Sequence, residues 1–153
     1  MNGKELRGGK AIETANALGE VNGRQEYATE DQIKALKDHI SSFQSNQTDL
    51  REPLRRIEQK LLTEHAGFLI GNQCIDFQKQ DGVTEMEEAV MANHVERALN
   101  DLVLRDESSG KIAVNRKPIY VSAVSNFTNF LDLFRKTIRN LELGIPCVIL
   151  GRS

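Results

Sequence analysis

From Thr29 onward the apolar positions fall into stripes, and each stripe predicts an element. Ile33, Leu36, Ile40 and Phe43 recur at spacings of three and four, one face of a helix. Thr29 precedes them with Gln32 three residues on, a capping-box start, and the polar residues Ser41, Ser42 and 44–47 end the pattern. A second helix begins at Thr48 or Asp49, with Pro53 in the first turn, where its missing N–H is not needed. Leu50, Leu54, Ile57, Leu61 and Phe68 are its expected buried face, and Arg51, Arg55, Arg56 and Lys60 face water. Gly67 either breaks this helix or lets another pack closely. Phe68, Leu69, Ile70, Ile75 and Phe77 then predict a helix of about three turns, ended by Asp81-Gly82. Thr84 with Glu87 is another capping-box pattern, ahead of a long stripe through Met86, Val90, Val95, Leu99, Leu102 and Val103 to Leu104. Residues 106–110 read as a polar turn, and Ile112-Ala113-Val114 as a short strand or an extended arm before Pro118.

The pattern changes at Pro118. Ile119 to Val124 is a β-branched and aromatic run. Asn126-Phe127 opens a helix whose inner face is Phe127, Phe130, Leu131, Phe134, Ile138 and Leu141, with Asp132, Arg135, Lys136, Arg139 and Asn140 outside; Gly144 closes it. Pro146-Cys147-Val148-Ile149-Leu150 is a second apolar run. Strand, helix, strand is one βαβ unit, the building block of a parallel sheet, and such sheets place binding sites at the carboxyl ends of their strands. The predicted fold class is therefore α/β: N-terminal helices, then one βαβ unit of a parallel Rossmann-like sheet that two strands leave incomplete. Residues 1–28, rich in Gly, Asn, Glu and Lys, are expected to be a mobile tail with a nascent helix over 11–18, and residues 29–153 the helical segment plus βαβ unit.

Composition narrows the function classes. A formal charge of -2 with both signs interleaved gives no electrostatic case for nucleic acid or an acidic membrane. No apolar run approaches the ~20 residues that span a bilayer. Cys74 and Cys147 make neither a disulfide framework nor metal spacing, and His39, His65 and His94 lie far apart, so no metal site is expected. Low cysteine usage without a signal peptide predicts a reducing, cytoplasmic setting.

The βαβ unit with its preceding helices resembles the amino-terminal part of the cofactor-binding domain of the aldehyde dehydrogenase superfamily. There a first Rossmann strand runs into a Trp-Asn-Phe-Pro turn, then a helix, a Gly turn and a second strand ending Lys-Pro-Ser. The corresponding runs here are Val121-Ser122-Ala123-Val124-Ser125-Asn126-Phe127-Thr128 and Val148-Ile149-Leu150-Gly151-Arg152-Ser153. Residues 54–61 and 87–90 resemble the family's two long upstream helices, so the resemblance covers roughly residues 40–153. It implies NAD- or NADP-dependent oxidation of a small-molecule aldehyde to an acid, in a homo- or hetero-oligomer. Asn126 falls on the family's oxyanion-holding Asn, a neutral donor set about 3 Å from developing negative charge. Ala123, Val124 and Ser125 fall where the family lines the nicotinamide cofactor, and Gly151, Arg152 and Ser153 near its adenosine-ribose contacts. Ser125 replaces the family's Trp and Thr128 its Pro. The family Lys has no counterpart, Arg152 being a displaced substitute. The family's nucleophilic Cys and Glu base fall beyond Ser153, so this chain alone is expected to be catalytically silent.

Simpler roles stand beside these. Asn126 also suits a helix N-cap, and the two roles can coexist. Cys147 and Cys74 read as small buried hydrophobes. Arg135, Lys136 and Arg139, with Arg116 and Lys117 nearby, read as a solvated basic face or a site for phosphate or an acidic partner. Glu85, Glu87 and Glu88 complement a helix dipole. No Gly-x-Gly-x-x-Gly occurs. The alternative function is non-enzymatic: an α/β interaction module, or a pseudoenzyme, completed by a partner chain.

Overall fold

The computed structural model describes residues 5–44, 48–78, 80–122 and 130–150. Among these residues the chain is a mixed α/β fold of five helices and two two-stranded sheets, one antiparallel and one parallel. The order is β1 (Ala11–Ala15), β2 (Val21–Glu26), α1 (Glu30–Ser42), α2 (Arg51–Leu62), α3 (Ala66–Phe77), α4 (Gly82–Ser108), β3 (Ile119–Ser122), α5 (Phe130–Glu142) and β4 (Cys147–Leu150).

The nascent helix expected over residues 11–18 is instead one arm and the turn of a β-hairpin, β1 pairing antiparallel with β2. The turn chemistry explains the difference. Asn16 Oδ1 accepts from the backbone N–H of Leu18 at 3.0 Å and of Glu20 at 2.9 Å, a local side-chain-to-backbone pattern that competes with helix. Thr14 bonds Asn22 across the strands at 3.0 Å. Two side-chain bonds tie the hairpin to the end of α3, Asn22 to Asp76 at 2.9 Å and Gln78 to the Ala17 carbonyl at 3.4 Å.

α1 starts where its capping box predicts. Thr29 accepts from the N–H of Gln32 at 3.3 Å, and the Gln32 side chain accepts from the N–H of Thr29 at 2.8 Å. α2 carries Pro53 in its first turn. Its inward face is Leu54 and Glu58; Ile57 and, in α3, Phe68 are exposed rather than buried. The Thr84–Glu87 capping box does not start α4, which reaches back to Gly82. A Cβ at Gly82 would stand 3.1 Å from Cys74 Sγ and 3.2 Å from Ile70 Cγ2. Glycine thus lets α4 begin in close contact with α3, two residues before the expected cap. Residues 112–114 form no strand and run as an arm into β3.

The βαβ unit is present, with β3 and β4 parallel in the register Ile119↔Cys147 to Ser122↔Leu150. α5 packs on both strands, on α2 and on α4. Its end is a Schellman motif: the N–H of Gly144 bonds the Leu141 carbonyl at 2.9 Å and that of Ile145 bonds Asn140 at 3.0 Å. Gly144 sits at φ +73°, and a Cβ there would lie 3.0 Å from Arg116 Nε, which donates to the Leu143 carbonyl at 2.9 Å. Gly144→Ala is expected to cost about 1–3 kcal/mol through left-handed strain and displacement of Arg116, read as a lowered thermal midpoint.

The interior is thin and mixed. Among the described residues Leu54, Met86, Val121 and Ile138 are the buried apolar side chains, beside buried Glu58, Gln73, Asn93, Asn100, Thr137 and Glu142. Ion pairs and amides therefore occupy positions that a periodicity argument assigns to aliphatic residues.

Candidate functional site

In parallel sheets, ligands gather where strands end. Here Ser122 and Leu150 are register partners, so β3 and β4 finish side by side. Ala123, Val124, Ser125 and Asn126 follow β3 in sequence, and Gly151, Arg152 and Ser153 follow β4; all seven lie outside the described residues. The structure thus aligns the two strand ends from which these groups leave.

The two faces of this sheet differ. Ile119, Val121, Cys147 and Ile149 alternate onto one side, where Val121 is buried and Cys147 Sγ lies 3.9 Å from the Thr137 carbonyl of α5, while Ile149 near the strand end stays 54% exposed. Burial pushes the Cys147 thiol up from its ordinary pKa, and its other neighbour is the Ile145 carbonyl at 3.6 Å. A protonated thiol facing carbonyl oxygens is a packing group rather than a nucleophile. Tyr120, Ser122, Val148 and Leu150 alternate onto the opposite side, where Tyr120 and Leu150 are exposed. A two-stranded sheet also leaves the outer edge of each strand unpaired within its sheet.

Behind the sheet, α2, α4 and α5 meet through a buried polar cluster. Arg97 of α4 pairs with Glu58 of α2 and lies 3.6 Å from Glu142 of α5. Asn100 donates to the Arg139 carbonyl at 2.9 Å and to Glu142 at 3.1 Å. Arg135 and Arg139 reach Glu96 of α4 at 2.6 and 3.2 Å. The basic face read as solvated, or as a site for phosphate or an external acidic partner, therefore has acidic partners inside the chain, Glu96 for Arg135 and Arg139 and Glu107 for Arg116. Helix α5 turns this face toward α4, because Glu96 and Asn100 stand one turn apart on the facing side. This cluster escaped the periodic reading. Its visible trace is Asn93, Asn100 and Glu107 at seven-residue steps from Met86, a polar continuation of an inward position.

A cleft of about 190 Å³ lies at the opposite, amino end of β4, lined by Asp49, Arg51, Leu104, Arg116, Glu142 and Gly144 among others. Its cations are matched. Arg51 pairs with Asp49 at 2.6 Å, holding that carboxyl down to about 2, and Arg116 pairs with Glu107 at 2.5 Å, holding that carboxyl below its usual range. The cleft is a neutralised seam between α2 and the arm, and it presents no surplus charge to an anion. Among the described residues no three His, Cys, Asp or Glu side chains gather as a metal site, and no helix is long and apolar enough to cross a membrane.

No family model, curated protein or solved structure matches this chain.

Proposed function

We propose that this chain is a non-enzymatic α/β interaction module whose parallel sheet is completed by strands from another polypeptide. The exposed face of β3 and β4, with Tyr120 and Leu150 turned to solvent, carries this reading. Purely parallel sheets are normally covered on both faces, and two strands alone are marginal. Here α5 packs on both strands, and among the described residues neither strand has a second neighbour in its sheet, which leaves Ile119–Val121 and Cys147–Leu150 as templates for pairing. The apolar side chains on the open face would find on a partner what α5 supplies on the other side.

A second reading is favoured by the parallel β3–α5–β4 crossover behind several helices. In it the unit opens a Rossmann-like cofactor domain related to the aldehyde dehydrogenases, with NAD or NADP at the strand ends and Asn126 as the oxyanion donor. In this reading the chain acts within a longer relative or a homo- or hetero-oligomer.

Two measurements on the purified full chain separate the readings. Under the interaction-module reading, outer-edge amides of residues 119–122 and 147–150 exchange hydrogen quickly while those between the strands are protected, and NAD leaves the thermal midpoint unmoved. Strong protection on both edges in the isolated chain would overturn it. An upward shift of the midpoint with NAD would favour the dehydrogenase reading, since a ligand stabilises only the state that binds it.

A further inference from the structure

The amino-terminal hairpin carries a reactive pair in its second strand. Asn22-Gly23 is the single Asn-Gly step among the described residues. Both residues are exposed. The ladder is irregular there: Ala15 pairs with Val21 and Thr14 with Gly23, so Asn22 is the extra residue of a β-bulge, with no partner opposite it. Gly23 has no Cβ to shield its backbone nitrogen from the Asn22 side chain. Two hydrogen bonds hold that side chain. The Thr14 hydroxyl donates to Asn22 Oδ1 at 3.0 Å, and Asn22 Nδ2 donates to Asp76 at 2.9 Å.

We propose that Asn22 is a site of self-modification by deamidation: its side-chain amide condenses with the Gly23 backbone nitrogen, and the carboxylate that results releases the hairpin from α3. The Gly23 nitrogen attacks Asn22 Cγ and closes a cyclic imide. The Cγ–Nδ2 bond breaks, and Nδ2 leaves as ammonia with the proton that Gly23 gives up. Water then opens the ring at either carbonyl. Opening between Cγ and the Gly23 nitrogen leaves aspartate on the original backbone, and opening at the Asn22 carbonyl carbon routes the backbone through Cγ as isoaspartate. As attack begins, negative charge develops on Oδ1, where the Thr14 hydroxyl already stands as a donor. Asn16 is the contrast within the same hairpin. Its Oδ1 accepts from two backbone N–H groups, and the residue that follows it, Ala17, carries a Cβ beside its nitrogen.

The product changes what the hairpin can hold. Either acid lacks the Nδ2 donor and sets a carboxylate against that of Asp76 in the last turn of α3, and like charges at hydrogen-bond distance repel. The other side-chain tie to α3, from Gln78 to the Ala17 carbonyl, is 3.4 Å long. Isoaspartate also adds a carbon to the main chain of β2, which shifts the ladder beyond it. The site lies on the hairpin, apart from β3 and β4, so it is tested independently of the sheet edge discussed above.

The test is ageing of the full-length chain at neutral pH and physiological temperature, followed by mass analysis of the tryptic peptide of residues 11–24, which holds both Asn16 and Asn22. The amide-to-acid mass gain is expected at Asn22, as a mixture of aspartate and isoaspartate, before any at Asn16. Thr14→Val is expected to slow it about fivefold, the loss of one hydrogen bond to the reacting oxygen. Asn22→Asp is expected to speed amide hydrogen exchange over residues 11–15 and 21–26 about five- to tenfold, and more than Asn22→Ala does. A wild-type chain that keeps Asn22 intact over weeks, or gains mass equally at Asn16, overturns the proposal. So does a Thr14→Val rate equal to or above that of wild type, which would place cyclisation in an opened strand rather than in this geometry. An Asn22→Asp chain as protected as wild type would overturn release of the hairpin.

Discussion

Arg97→Met is expected to cost about 3–5 kcal/mol of folding stability, the penalty of breaking a buried ion cluster from one side. The guanidinium pairs with Glu58 and stands 3.6 Å from Glu142, and these carboxylates are 4% and 6% exposed. Methionine fills similar volume but leaves two buried negative charges facing each other across the α2–α4–α5 junction. A domain of this size is stable by about 5–15 kcal/mol in total, so the variant would sit near the edge of folding. Urea denaturation at neutral pH reads the loss as a lower midpoint. A loss below about 1 kcal/mol would mean that water reaches the cluster freely, as at surface pairs. The companion variant replaces all three charges, Arg97→Met with Glu58→Leu and Glu142→Leu. It is expected to come back to within about 1 kcal/mol of wild type, because apolar packing of similar volume can substitute for a desolvated ion cluster.

Ile138→Ala is expected to cost about 2–5 kcal/mol. Ile138 is one of four buried apolar side chains among the described residues, and it lies on α5 beside the Arg97 cluster. Removing three carbons there opens a void where few neighbouring aliphatic groups can move in. Ile149→Ala is the internal control: same chemistry, on the β4 position paired with Val121, but 54% exposed, so its expected cost is below about 1 kcal/mol. The comparison is read from thermal midpoints together with hydrogen exchange at β3 and β4. Equal costs at the two positions would mean that the sheet, rather than the helix junction, holds the α5 layer in place.

How far the fold was legible depended on whether a feature rests on local chemistry. The Thr29–Gln32 box, Pro53 in a first turn and the Gly144 stop all appear where the sequence places them, because each is settled within one helical turn. The parallel pairing of β3 and β4 followed from two apolar runs flanking a periodic segment. The hairpin did not, since its strands Ala11–Ala15 and Val21–Glu26 carry little apolar signal and their register rests on the Asn16 turn. The Thr84–Glu87 pattern was a false start because Gly82 packs against Ile70 and Cys74. Periodicity located the stripe on α4 but not its direction. Glu96, Arg97 and Asn100 outcompeted Val95, Leu99 and Leu102 for the interior because Glu58, Arg135, Arg139 and Glu142 supply partners from other helices. Of the candidate site, the alignment of the two strand ends is structural, while Asn126 and its companions fall outside the described residues.

The parallel register also orders events in time. β1 and β2 are joined by a short turn, and such a hairpin closes in about 1–10 μs. β3 and β4 can meet only across an intervening helix, a crossover that raises the loop-closure cost and slows nucleation. The two sheets should thus form on separate clocks, the amino-terminal pairing early but held only once Asn22 and Ala17 are tied to the end of α3, the other late and only after α5 has condensed. During that lag the bare edge of β3 is available to any extended segment nearby, which makes the interval before closure the moment when a pairing strand, correct or mistaken, is chosen.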